Sequence, residues 1–352
     1  MFRSAGVLAA RQPCIGSPGA RPWKAHRIIR IGCDDRTTSR FLRKPSTAMA
    51  PRRDDSRLRL SDALAEAEVA PAQGGCLTAF RWRRDDGVID WLRPAPAAGA
   101  FSPNASACFP LLPYSNRIRE GRFRFGGREH RLAANFAPSR HSIHGHGWKL
   151  PWRVADRSES SLTLSYDHDS SDWPAPYRAE QRFRLDHGAL SIDVAVTNLG
   201  DAAMPAGLGL HPYFPRTPDC RLTAEIARMW ATDAEVMPTE LVAPPPNADP
   251  SLGLLPAQAA LDNCFTGFSG RAVIDWPGRG ASLTLEAEPV LAFLVVYTPP
   301  EADFFCVEPV SHCTDAVNLA AAGSSDTGLR TLDPGERFAA SVCFLPHLEG
   351  LS

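Results

Sequence analysis

From about residue 60 the chain runs in short stretches of alternating apolar and polar residues, separated by Gly, Pro, Asn and Asp. Residues 161–166 and 190–196 set Leu, Ile, Val or Tyr on one side, against Ser, Thr, Asp or Ala on the other. Such a period of two is the mark of a half-buried strand. Residues 281–285 repeat the pattern, and residues 290–297 form a more continuous apolar run, as a strand buried on both faces would. Within residues 122–132, Phe123 and Phe125 share a face and Gly126-Gly127 supplies a turn, which predicts a hairpin. Helical periodicity is nearly absent, and residues 61–67 are the only stretch that predicts a turn or two of helix. Many short strands without intervening helices predict an all-β fold, one large β-sandwich spanning residues 57–350. The Pro-rich residues 243–250 are expected to form a surface loop, because strand-like sequence continues on both sides.

The start of the chain does not share this pattern. Residues 1–53 hold twelve Lys or Arg against two acids, Asp34 and Asp35, and lack periodic apolar positions. An Arg- and Ser-rich, acid-poor start is expected of an organellar transit peptide, or of a start assigned too early, with Met49 as the first residue. The second is favoured, and residues 1–56 are set apart from the fold. A net charge of -1 gives no basic field for nucleic acid. No apolar run approaches the roughly 18 residues of a membrane helix. Nine scattered cysteines, an odd number without a Cys-x-x-Cys pair, argue against a disulfide framework or zinc knuckle and for buried thiols in a reducing cytoplasm.

Glu308 closes an apolar run, Phe304-Phe305-Cys306-Val307, and precedes Pro309. A carboxylate loses its hydration in a strand unless it is paired. Pro309 cannot donate to a ladder, so the strand should end at or just past the acid. A partly desolvated acid at a core rim is suited to proton transfer, although capping a turn would explain it equally well. His211 has the same setting, an apolar run before it and Pro212 after it. An imidazole and a carboxylate in matched settings are the equipment of a general acid and a general base. Polar groups also gather at Asn116-Arg117, at His141, His144 and His146, and at Asp262-Asn263. Three histidines within six residues invite a metal, but no nearby acid completes a ligand set, so no metal is expected there.

Taken in order, Asn116-Arg117, His144-Gly-x-Gly-Trp148, His211-Pro-Tyr-Phe214, Leu261-Asp262-Asn263 and Val307-Glu308-Pro309 resemble the aldose 1-epimerase (galactose mutarotase) family, and most of all a divergent bacterial branch of it. The resemblance spans residues 57–346 and implies a β-supersandwich whose cleft binds a free monosaccharide without a cofactor. It implies that Glu308 takes the proton of the anomeric hydroxyl and that His211 protonates the ring oxygen. His144 would assist at that oxygen, while Arg117, Asp262 and Asn116 would hold hydroxyls. His146 stands where better-known members carry glycine, so it is expected to alter which hydroxyls are read. Ring opening needs one proton removed and one delivered, which a Glu and a His on opposite sides of the ring could supply. Trp148, Trp173 and Tyr213 are candidate flat surfaces for the sugar. Two alternatives are a mutarotase of a phosphorylated hexose, using Arg119, Arg140 and Lys149, and a carbohydrate-binding protein without activity. The presence of both His211 and Glu308 argues against the latter.

Overall fold

The alternation along the chain is realised as two large antiparallel sheets. The computed structural model describes residues 57–85, 87–97, 101–169 and 172–350; the basic N-terminal segment lies outside them. Among the described residues, the first sheet has eleven strands and the second eight. The centre of the first sheet runs Cys108–Leu111, Gly209–Pro215, Phe304–Val310, Phe293–Tyr297, Asp262–Thr266, each strand bonded to the next. The second is centred on Tyr177–Asp186, Ala189–Asn198, Arg337–Leu348 and Ala281–Ala287. No described helix is long and apolar enough to cross a membrane. The seven described cysteines are unbridged and buried.

Period-two parity decides what each central strand presents to each side. Leu210, Phe214, Phe265, Leu294, Val296, Phe305 and Val307 join Phe183, Ile192, Leu283 and Phe344 of the second sheet in one continuous core. The alternate positions, Phe109, Tyr213, Cys264, Val295, Cys306 and Val310, form a second apolar cluster on the opposite face. His211, Asp262, Tyr297 and Glu308 share that parity. The first sheet is therefore buried on both faces at its centre, which is why 304–307 reads as an unbroken apolar run.

Residues 122–132 form the expected hairpin, with Arg122–Phe125 paired to Arg128–Arg131. The continuous apolar run yields a strand only from Phe293 to Tyr297. Phe304–Val310 continues two residues past Glu308. The expected helix at residues 61–67 is instead the turn of a hairpin between Leu58–Ser61 and Ala65–Ala70. Ala and Glu favour helices in isolation, but Glu66 finds Arg83 at 3.1 Å and Arg59 at 3.4 Å, while Ala65, Ala67 and Val69 are fully buried. Tertiary pairing overrides propensity here. The one described α-helix, Ala316–Ala321, has six residues, too few for a periodicity to be legible.

Candidate active site

The register that pairs Gly209 with Val310 and Tyr213 with Cys306 sets His211 opposite Glu308 on neighbouring strands. Pro212 and Pro309 follow each residue, and neither can donate to the ladder. The side chains meet, with His211 Nε2 3.3 Å from Glu308 Oε1. Both are buried, at 7% and 2% exposure. The expectation that acid and base flank a ring from opposite sides is thereby corrected, because no ring fits between groups in contact. They form one wall.

Burial raises Glu308 well above the ordinary carboxylate range; Asp262 adds to the rise and Arg117 opposes it. Burial also lowers His211 to about 3, with Arg93 acting in the same direction. Desolvation disfavours charge on either partner, so the pair favours a neutral imidazole beside a protonated carboxyl. Moving that proton across to Nε2 leaves the total charge unchanged, and the two groups titrate as a unit. Among the described residues, no protein group hydrogen-bonds Glu308 Oε2 or His211 Nδ1. The imidazole packs against both Phe109 and Tyr213, at centroid separations of 4.4 and 4.8 Å.

Asn116 and His144 grip each other across a two-residue ladder, Arg117 with Ile143 and Ile118 with Ser142. The His144 N–H donates to the Asn116 carbonyl at 2.9 Å. The Asn116 N–H donates to His144 Nδ1 at 3.1 Å. Nδ1 is then an acceptor, so the neutral ring carries its proton on Nε2 and can donate from there. Burial, followed by the nearby charges of His211, Arg117 and Lys149, lowers His144 well below its ordinary value and keeps it neutral. Both residues are left-handed, with φ of 57° and 62°, conformations sustained only by surroundings that fix them. Asn116 Oδ1 accepts from Nη1 of Arg117 at 3.1 Å, and Nη2 of Arg117 reaches Asp262 Oδ2 at 3.2 Å.

A layer of acceptors supports this segment, of which sequence reasoning picked out His141 but not His312 or Asp315. His312 Nε2 accepts the Ser115 N–H at 3.0 Å, and its Nδ1 lies 2.8 Å from the Cys313 carbonyl. His141 Nδ1 accepts the Glu120 N–H at 2.9 Å, and Asp315 Oδ1 the Arg119 N–H at 3.0 Å. His312 and Asp315 sit one step behind the cleft, where no motif announces them.

The cleft has a volume of about 180 Å³, small beside the roughly 300–1,000 Å³ that hold drug-sized ligands. Asn116, Arg117, His144, His211, Asp262 and Glu308 all line it, as do Trp148 and Tyr213. Asn104, Phe136, Ile143, Tyr297 and Phe304 complete the walls and were not foreseen. Parity could have found Tyr297 and Phe304, which share a face with Asp262 and Glu308; Asn104 and Phe136 lie outside the strands and carry no such signal. Two expectations need correction. Trp173 stacks on Tyr114, centroids 5.5 Å apart, outside the cleft lining. His146 does not line it either; its ring packs on His168 and Tyr177 of the second sheet, because the left-handed turn at His144-Gly145 sends successive side chains apart.

Residues 56–344 match the aldose 1-epimerase family. A two-sheet fold carrying a buried His–Glu pair in a sugar-sized cleft is thus that of a galactose mutarotase-like protein. The chain belongs to the aldose 1-epimerase family. It is 33% identical to the uncharacterized protein YphB of Escherichia coli K12 over 279 residues, 75% of this chain and 90% of that protein. It is 30% identical to human galactose mutarotase over 142 residues, 37% of this chain and 40% of that enzyme. Among solved structures, an aldose 1-epimerase candidate from Escherichia coli K12 superposes with a TM-score of 0.74 at 30% identity, covering 83% of this chain and 99% of that one. A galactose mutarotase-like protein from Clostridium acetobutylicum, 20% identical, shares the fold with a TM-score of 0.74 over 82% of this chain and 94% of its own.

Gly145 fixes the loop that follows His144. At its φ of 68°, an added Cβ would stand 2.2 Å from the Leu112 carbonyl oxygen. Gly145→Ala is expected to cost more than about 1 kcal/mol of stability, read by urea unfolding; a change under half that would show the loop able to move aside.

Proposed function

We propose that the protein is a cofactor-independent aldose 1-epimerase acting on a free monosaccharide. The contact between His211 and Glu308 in the wall of a sugar-sized cleft carries this reading. The anomeric oxygen and the ring oxygen of a cyclic aldose are bonded to the same carbon. A base for one and an acid for the other act on adjacent atoms, which two side chains in contact can reach together.

In the reactive form, the shared proton sits on His211 and Glu308 is ionised. Glu308 takes the proton of the anomeric hydroxyl, the C1–O5 bond breaks as C1=O forms, and His211 protonates O5. The pair ends as carboxyl and neutral imidazole, with no net proton gained or lost. Rotation about C1–C2 and the reverse transfers close the other anomer. His144 Nε2–H donates towards the ring oxygen as its charge develops. Arg117, Asp262 and Asn116 bind hydroxyls, and Trp148 and Tyr213 offer apolar faces. A hydroxyl facing Glu308 Oε2 would relieve a buried acceptor whose lack of a partner costs about 1–3 kcal/mol.

A phosphorylated substrate has less support. Arg117 is the one basic residue among the cleft's lining arginines and lysines, and Asp262 already pairs with it at 3.2 Å. Arg140 is engaged by Glu120 and Glu235, Arg119 by Asp233, and Lys149 by the Asn135 carbonyl. A phosphate in the cleft would face the acidic side chains of Asp262 and Glu308.

Anomer exchange followed by NMR or polarimetry tests the reading. Glu308→Gln is expected to lower kcat at least about a hundredfold while sugar binding persists; near-normal rates on every responsive aldose would remove Glu308 as the base. The active pair holds one shared proton. kcat/KM should therefore fall as pH rises through the raised Glu308 value, where that proton is lost. It should fall again only as pH approaches the value of about 3 for His211, where a second is gained. An alkaline limb unchanged in Glu308→Gln would contradict this. For free glucose or galactose, kcat/KM is expected to exceed that for the 6-phosphate by at least roughly tenfold, about 1.4 kcal/mol; the reverse order would favour the phosphorylated substrate.

A further inference from the structure

The acid that the sequence around His146 lacks is supplied from farther along the chain. His146 leaves its loop on the side away from the cleft and meets His168, the last residue of Ser161–His168 in the second sheet. The two imidazoles stack with centroids 4.1 Å apart and planes within 19°. His146 Nε2 and His168 Nε2 lie 3.6 and 3.2 Å from the same atom, Oδ1 of Asp172. No two of these three donor atoms are more than 4.8 Å apart.

We propose that His146, His168 and Asp172 form a binding site for one divalent transition-metal ion of the zinc class. Its ligands would be the two Nε2 atoms and a carboxylate oxygen of Asp172, with the His168 ring turning out of the present stack so that both in-plane lone pairs meet the ion. Two imidazoles and a carboxylate are a donor set for Zn²⁺ or Co²⁺ rather than for Ca²⁺ or Mg²⁺, which take oxygen. Ligands held about 2.0–2.2 Å from a tetrahedral ion stand roughly 3.3 Å apart. The two measured separations, 3.2 and 3.6 Å, fall on either side of that.

The surroundings support the assignment. His146 Nδ1 is 2.8 Å from the Tyr177 hydroxyl, which is 2.9 Å from that of Tyr166. That partner fixes the ring with Nε2 turned to Asp172, the outer-shell role that orients metal-bound histidines. The His146 and His168 side chains are 16% and 11% exposed, whereas that of Asp172 is 43% exposed. An ion can thus enter past Asp172, and water can complete its coordination. Once bound, it would tie the loop bearing His144 and Trp148 to the second sheet. The site stands independently of any activity in the cleft.

Calorimetric titration of the full chain with Zn²⁺ alone, beside Co²⁺ absorption spectra, tests the proposal. The expected result is one ion per chain with nitrogen and oxygen ligand-field bands. Zn²⁺ should also raise Tm by mass action. Affinity should drop at least roughly tenfold in His168→Gln and in Asp172→Ala. Asp172 is exposed enough for its variant to fold whatever becomes of His168→Gln. The proposal is overturned if the wild type binds no Zn²⁺ at tens of micromolar, if Asp172→Ala binds as the wild type does, or if a thiolate band places the Co²⁺ on cysteine.

Discussion

Opposition of His211 and Glu308 across two central strands is the constraint on which the rest of the site depends. Antiparallel register fixes it, since sliding either strand by one residue would turn every side chain to the other face. The first sheet is buried on both sides at its centre, so a slip would drive Phe305 and Val307 out of the core between the sheets and pull Glu308 into it. The energy that holds the sandwich together thereby holds the pair. Prolines at 212 and 309 weaken the ladder beside the pair without breaking the strands that carry it.

Burial then gives the pair its chemistry. A solvated glutamate and histidine at neutral pH would both be ready to ionise; here desolvation disfavours either charge, and a proton can cross 3.3 Å without changing the net charge. The same burial leaves His144 neutral, and the Asn116 N–H assigns its proton to Nε2. Packing thus sets the charge of three titratable side chains, and for His144 a backbone hydrogen bond sets the tautomer as well. The loop grips supply that precision: Asn116 and His144 in left-handed conformations, Gly145 against Leu112, and His312 behind Ser115.

Much of the fold was legible because its signals are local. Alternation at 161–166 and 190–196, and the Gly126-Gly127 turn, act over a few residues and survived into the structure. Residues 61–67 misled because Glu66 is stabilised by Arg59 and Arg83, which local propensity cannot see. At the site, a proline after an apolar run marked both Glu308 and His211, yet their contact depends on register between strands nearly a hundred residues apart. His146 shows the limit most clearly. Its neighbours His144 and Trp148 face the cleft, but one left-handed turn sends it to His168 and Asp172, and no sequence spacing encodes that direction.

A double-mutant cycle on the pair tests the central claim most directly, with anomer exchange measured by NMR for His211→Gln, Glu308→Gln and the double variant. If the two residues pass one shared proton, losing either partner disables both. The double variant should then be no slower than the slower single variant, within about 0.5 kcal/mol. Rate losses that simply add would mean that His211 and Glu308 act independently, and the side-by-side mechanism would be wrong.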